Sequence, residues 1–262
     1  MKYFEILQWV DRLMIDSLPT RFFYAKAIWQ ELIPILLTEK HWLPVTMQAY
    51  GRIPEFLSKE HNSQIFDWES KVFEDYFNKK PGKVLVGACG AGREMKLLAD
   101  KGYSIAGFDP CLEYIAGAKE ILTQKQILAL EVKDYESFLT DGESIEKHSP
   151  YDLGILGWGS IVHIAENKQR LAIMRKFREL VPFGYMLISW ISQPQMQGQR
   201  KKIHKLFSPL ASVRRKSKNH YDTHLGMIHL FNEAEIKNLV RESGFEIVKL
   251  ENTLTRNYAL LK

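Results

Sequence analysis

The chain is 262 residues long, more than one typical domain and less than two full ones, which suits one α/β domain with a small added module. Hydrophobic residues at 45% and aromatics at 12% exclude a disordered chain, and no apolar run reaches the roughly 18 residues of a transmembrane helix. The net charge of +5 is uneven: Ser192 to Ile228 carries eight Lys/Arg against Asp222 alone, a local +7, and the rest sums to −2.

The N-terminal stretch MKYFEILQWVDRLMID is charged throughout and lacks a small-residue cleavage site, so it does not read as a secretory signal. Phe4, Leu7, Val10 and Met14 recur at helical steps. A second helical pattern runs through Phe22, Ala25, Ile28, Leu32 and Ile35, with Pro34 placed to kink or end it. His41 to Pro54, punctuated by Pro44, Gly51 and Pro54, reads as loop. A third helix is expected from Phe66 to Phe77, and Pro81-Gly82 marks a boundary. Residues 1–78 thus read as a helical module packed on a main domain at 79–262.

Lys83 to Val86 has the look of a buried strand, and Gly87-Ala88-Cys89-Gly90-Ala91-Gly92 follows it. Small residues let a ligand approach the backbone, and glycines tolerate positive φ. Arg93 to Lys101 has helical spacing, with Met95, Leu98 and Ala99 on one side and Gly102 as its stop. A second strand, Tyr103 to Phe108, ends on Asp109, 17 positions after Gly92. Strand, glycine turn, helix, strand and acid make a nucleotide-binding βαβ unit, at a spacing close to that at which an acid takes ribose hydroxyls. The GxxxxGK[ST] phosphate loop is absent, and the glycines fall as GxxGxG, against a plain NAD fingerprint.

Further on, Leu112 to Leu122 reads as helix and Gln126 to Val132 as a third strand, closed by Asp134-Tyr135. Tyr151 to Leu156 is a fourth strand, with Gly157-Trp158-Gly159-Ser160 at the carboxyl end, where open α/β sheets bind ligands. Ala165 to Val181 is a helix and Tyr185 to Trp190 a fifth strand. The basic insertion at 192–228 reads as a solvated loop or a phosphate-binding surface, with Phe207 and Tyr221 its few aromatics. Phe231 to Ser243 is a helix with an Asn232–Glu235 capping box, and Phe245 to Leu250 and Tyr258 to Leu261 are strands.

VLVGACGAG followed by GFDP resembles the first two motifs of class I S-adenosylmethionine-dependent methyltransferases, and FNEAEIKNLVRESGFEIV resembles their terminal helix-strand unit. The resemblance implies a Rossmann-like, doubly wound, mostly parallel seven-stranded sheet with S-adenosylmethionine as cofactor. It implies a cofactor site at Gly87, Ala88, Cys89, Gly90, Gly92, Asp109, Pro110, Asp134, Tyr135, Gly157 and Trp158. Asp109 would hold the ribose, and Asp134 would hold the adenine amino group or cap a helix. Two positions depart from the family pattern: its acid is Val86 and its first glycine is Ala88. The missing contact to the methionine end would then come from elsewhere, through water or from Glu94. The N-terminal helices would cover a sheet edge or lid the site, with Tyr50 and Arg52 facing the cofactor's carboxylate.

Methyl transfer from a sulfonium asks the protein mainly to position and desolvate, and a hydroxyl or ammonium acceptor also needs a base. His163 and His229 are the candidates, on either side of the acceptor cleft. No metal site is expected, because no paired Asp-Asn spacing occurs and the two cysteines, Cys89 and Cys111, are too few for zinc or a disulfide framework. A reducing cytoplasm is the default compartment. The GWGS loop differs from the Pro-Pro-aromatic loop of base-amino methyltransferases, which favours a small-molecule or glycan-like acceptor. The alternatives are a nucleic-acid-binding protein or RNA methyltransferase using the +7 insertion, and a non-catalytic cofactor-binding domain, suggested by Val86 and Ala88.

Overall fold

The computed structural model describes residues 3–58, 60, 62, 64–77, 81–192, 203, 205–207, 209, 210, 218–253 and 256–262. Of the basic insertion, Arg200, Lys201, Lys202, Arg214, Arg215 and Lys216 lie outside the described residues. The helices are α1 (Tyr3–Arg12), α2 (Phe23–Leu36), α3 (Trp42–Tyr50), α4 (Asp67–Tyr76), α5 (Arg93–Asp100), α6 (Leu112–Ile121), α7 (Tyr135–Thr140), α8 (Glu143–Glu146), α9 (Asn167–Leu180) and α10 (Glu233–Glu242). The strands are β1 (Lys83–Gly87), β2 (Ser104–Asp109), β3 (Ile127–Val132), β4 (Leu153–Leu156), β5 (Tyr185–Ser189), β6 (Asn219–Asp222), β7 (Gly226–His229), β8 (Ile247–Asn252) and β9 (Asn257–Leu261). Among the described residues, no helix is long and apolar enough to cross a membrane.

The chain divides into two compact units, residues 1–53 with 193–231 and residues 54–192 with 232–262. The second unit holds a seven-stranded sheet in the order β3-β2-β1-β4-β5-β9-β8. Neighbours from β3 to β5 pair in parallel, and β9 runs antiparallel to both β5 and β8. Val84 to Val86, Leu153, Ile155, Leu156 and Met186 to Ile188 are all buried, as a parallel sheet covered on both faces requires. The order reverses at β1, between β2 and β4, so the carboxyl ends of these three strands form the switch point at which such sheets take ligands.

The expected boundary at 78/79 falls inside this second unit, because Val72 and Phe73 of α4 are fully buried in the same core as Val84 and Val86. The first unit corrects two further expectations. His41 to Pro54 is mostly helix: α3 tolerates Pro44 because a proline in the first turn lacks only an N–H that has no intrahelical partner there. The insertion ends in an antiparallel hairpin, β6–β7, whose His220, Tyr221, Met227 and Ile228 are buried, with β6 beside α2 and β7 beside α3. Gly226 has φ +73, and a Cβ there would lie 2.4 Å from the Thr46 Cα. The close approach fixes hairpin to helix, and the Met227 N–H donates to Thr46 Oγ1 at 3.2 Å.

Candidate active site

The loop after β1 reverses the chain through left-handed residues, Ala88 at φ +48, Gly90 at φ +54 and Gly92 at φ +95. Ala88 stands in this conformation without a glycine's freedom, the kind of local strain that gathers at functional sites. Gly92 is crowded by Ala118 and Ile121 of α6, so its lack of a side chain is a packing need. Gly90 differs: a Cβ built there would meet nothing within 4 Å. Open space at its Cα suits close approach by a ligand. The Cys89 N–H donates to the Phe108 carbonyl at 3.0 Å, tying the loop to β2.

Asp109 closes the other side. Its Oδ2 accepts the Gly90 N–H and its Oδ1 the Cys111 N–H, each at 2.9 Å, and the residue is 6% exposed. Burial pushes its carboxyl up to about 6, against the downward pull of those two N–H bonds. Burial also pushes the Cys89 thiol well up, helped by the charges of Asp109 and Glu94. Pro110 follows at the rim, half-buried. Asp134 has the local role weighed for it: its Oδ1 accepts the Ser137 N–H at 2.7 Å and caps α7. Tyr135 sets its ring edge-on to Phe108, 5.8 Å between centroids.

Val86 is buried in the sheet core and supplies no acid. Glu94, two residues past the glycine turn, is also buried, and its Oε1 accepts from Arg93 Nη2 at 2.7 Å. The same guanidinium makes a two-pronged pair with Glu69 of α4, both bonds 2.7 Å. Arg93 lies between aromatic rings, its guanidinium carbon 5.2 Å from the Phe66 centroid and 5.3 Å from that of Trp158. Burial alone would lower the Arg93 pKa, and the two carboxylates more than reverse this. Burial raises Glu69, opposed by its bonds to Arg93. Sequence reasoning nominated Glu94 and missed Glu69 and Arg93, because their pairing spans 24 positions and joins two separate helices.

The loop after β4 completes this side. A Cβ on Gly157 would fall 2.5 Å from Glu94 Oε1, so only glycine leaves room for that carboxylate. Trp158 has φ +45, is 46% exposed and meets Phe56 edge-on at 5.3 Å. The Gly159 N–H donates to Ser189 Oγ at 2.8 Å, pinning the loop to β5. A 3₁₀ turn, Ser160–His163, then carries half-buried His163.

His229 lies in the other unit, as the last residue of β7. It is buried, and its Nδ1 is 2.9 Å from Asn219 Oδ1. An amide oxygen only accepts, so in this pair Nδ1 is the donor. Arg52 and Tyr50 were expected at a cofactor carboxylate. Arg52 is instead engaged inside the first unit, by Asp11, Asp16, Tyr221 and the Thr223 carbonyl. Among the described residues, no group of three or more His, Cys, Asp or Glu gathers in a way that could hold a metal ion.

The methyltransferase-domain family profile matches residues 58–250. No curated protein matches the chain. Among solved structures, a SAM-dependent methyltransferase from Methanosarcina mazei is similar at 21% identity and TM-score 0.55, over 76% of this chain and 96% of that one. The 1,6-didemethyltoxoflavin-N1-methyltransferase of Burkholderia thailandensis, solved with 1,6-didemethyltoxoflavin and S-adenosylhomocysteine, is similar at 13% identity and TM-score 0.57, over 86% and 89%. A sugar N-methyltransferase from Streptoalloteichus is similar at 15% identity and TM-score 0.51, over 82% and 90%. At these identities the likeness is one of fold.

Proposed function

The chain belongs to the methyltransferase-domain family, and from that premise we propose that it transfers a methyl group from S-adenosylmethionine to a nitrogen or oxygen of a small-molecule or glycan-like acceptor, in the cytoplasm. The observation that carries this reading is the buried Asp109 carboxylate, held by the Gly90 N–H beside open backbone at the sheet's switch point. The residues present fit a nucleoside there. Asp109 would accept the ribose hydroxyls on the lone pairs its two N–H donors leave free. Gly87, Ala88, Cys89, Gly90 and Gly92 would let the nucleoside lie against the backbone, and Pro110, Asp134 and Tyr135 would border the adenine. When bound, the cofactor supplies a methyl on a positively charged sulfur, already a good leaving group.

Gly157 and Trp158 would flank the acceptor side, with the Trp158 ring keeping water from the path of transfer. An acceptor that arrives protonated needs a base, and His163 and His229 are the candidates. The acceptors of two structural relatives, a small heterocycle and a sugar, support the acceptor class. Calorimetry with S-adenosylhomocysteine tests the reading. Asp109→Ala is expected to weaken binding by about 1.5–3 kcal/mol, the range for a lost hydrogen bond to a charged group. Unchanged affinity in a folded variant would sink the assignment.

A further inference from the structure

Trp158 is held in a way that covering a core does not explain. It stands at φ +45, a backbone conformation that a bulky side chain rarely adopts, and such strain gathers at functional sites. It lies two residues past the end of β4, beside the switch point between β1 and β4 where open α/β sheets take ligands. The other tryptophans of this unit are covered: Trp190 is 3% exposed, and Trp68 stacks on Tyr258 at 4.5 Å between centroids. Trp158 stays 46% exposed.

The indole is nevertheless fixed. The Arg93 guanidinium lies over its ring, and that guanidinium is itself held by its fork on Glu69. Phe56 meets the ring edge-on. The bond from the Gly159 N–H to Ser189 Oγ anchors the next residue of the loop. A large, flat, apolar surface is thus set in place at the carboxyl end of β4, with nearly half of it open to solvent. Covering it would gain apolar burial, and a side chain already immobilised loses little entropy on binding.

We propose that the exposed surface of Trp158 is the stacking face for the methyl acceptor, and that the acceptor is a flat aromatic or heteroaromatic ring bearing the methylated nitrogen or oxygen. The inference rests on the acceptor side assigned to Trp158 above and narrows the acceptor class. A flat ring meets the indole over its whole area in an offset stack. A saturated or sugar ring is puckered and touches it at fewer atoms, so it gains less dispersion. Trp158 is then a specificity-determining residue.

Calorimetry on the full chain, in the presence of S-adenosylhomocysteine, tests this with three uncharged probes. 2-Naphthol is flat, decahydro-2-naphthol has the same skeleton and hydroxyl but is puckered, and methyl β-glucoside stands for a glycan. Wild type is expected to bind 2-naphthol about threefold to tenfold more tightly than its saturated analogue, the range for an aromatic pair beyond its area. Trp158→Leu keeps an apolar cover without the ring and should remove that preference, while Trp158→Phe should keep most of it. Melting curves report the fold of each variant. Should Trp158→Leu not fold, Trp158→Gly suits the positive φ and lacks the ring equally. A preference that survives in the folded variant overturns the proposal. So does equal affinity for the flat and puckered probes in wild type, binding of the glucoside alone, or binding of none of the three. If S-adenosylhomocysteine does not bind wild type, the donor reading fails by itself, and the same probes without it still decide the stacking face.

Discussion

Each unit of the molecule contains an arginine set between two acids, and the two clusters do different things. In the first unit, Arg52 meets Asp11 at 2.6 Å and Asp16 at 3.0 Å. Asp11 is buried and surrounded by donors: Trp29 Nε1 at 3.0 Å, Gln48 Nε2 at 3.3 Å and Tyr221 OH at 2.8 Å, besides Arg52. Asp16 is 46% exposed and is solvated by water. The surplus charge sits on exposed Asp16, and the network ties α1, α2, α3 and β6 into one body. In the second unit both acids around Arg93 are buried and charge remains. Composition is the same in the two places. Solvation and donor count set the two clusters apart.

The comparison can be tested by removing parts, beginning with the histidines, one per unit. If His163 or His229 is the base, its change to Ala should lower kcat by about 10²–10⁴ with little effect on donor affinity. The loss should shrink as pH rises, because more of the acceptor deprotonates without help. The pH–rate profiles of both variants decide which histidine is the base. Near-wild-type kcat for both across about pH 6–9 would leave the enzyme a positioning device. Next is Arg93→Met, which leaves two buried carboxylates unpaired and should cost about 3–5 kcal/mol of stability in denaturant melts at neutral pH. Lowering the pH should recover part of this, since unpaired buried acids take up protons. Arg52→Met should cost less, about 1–3 kcal/mol, because Asp11 keeps three donors. Equal losses in the two variants would show that the clusters are alike after all.

Much of the second unit was legible in the sequence because its signals are local. The Lys83–Val86 run, the glycine turn and Asp109 follow one another directly, and each has the residue type its backbone or partner demands. The seven-stranded, mostly parallel sheet came with the resemblance. What stayed hidden depends on long range. Glu69 and Arg93 give no local sign of pairing, and Arg52, read as facing a ligand, turned out to serve Asp11 and Tyr221, the latter 169 positions away. The hairpin in the insertion was missed because His220 and Tyr221 beside charged Asp222 look like loop until Gly226 is seen against Thr46. Helix α3 was missed because Pro44 was read as a breaker, without its first-turn exemption.

The smallest expected effect concerns the acid proposed for the ribose. Asp109 has its carboxyl raised from 3.8 to about 6 by burial. The folded chain thus keeps this proton to higher pH than the unfolded chain, so the titration of Asp109 lowers stability as pH rises from about 4 to 6. Ribose hydroxyls donate to the ionised form, so ligand binding should run the other way and strengthen over the same window. If only the carboxylate binds, the apparent Kd at pH 5 should be about tenfold weaker than at pH 7, following the fraction ionised. The ligand for this measurement is 5′-methylthioadenosine, which offers the ribose and carries no amino-acid end. Asp109→Asn should bind it weakly and with no pH dependence. A wild-type profile that is flat from pH 5 to 8 would remove Asp109 from the ribose. Any steeper dependence for S-adenosylhomocysteine than for 5′-methylthioadenosine below neutral pH then belongs to the amino-acid end, the part that the second ligand lacks.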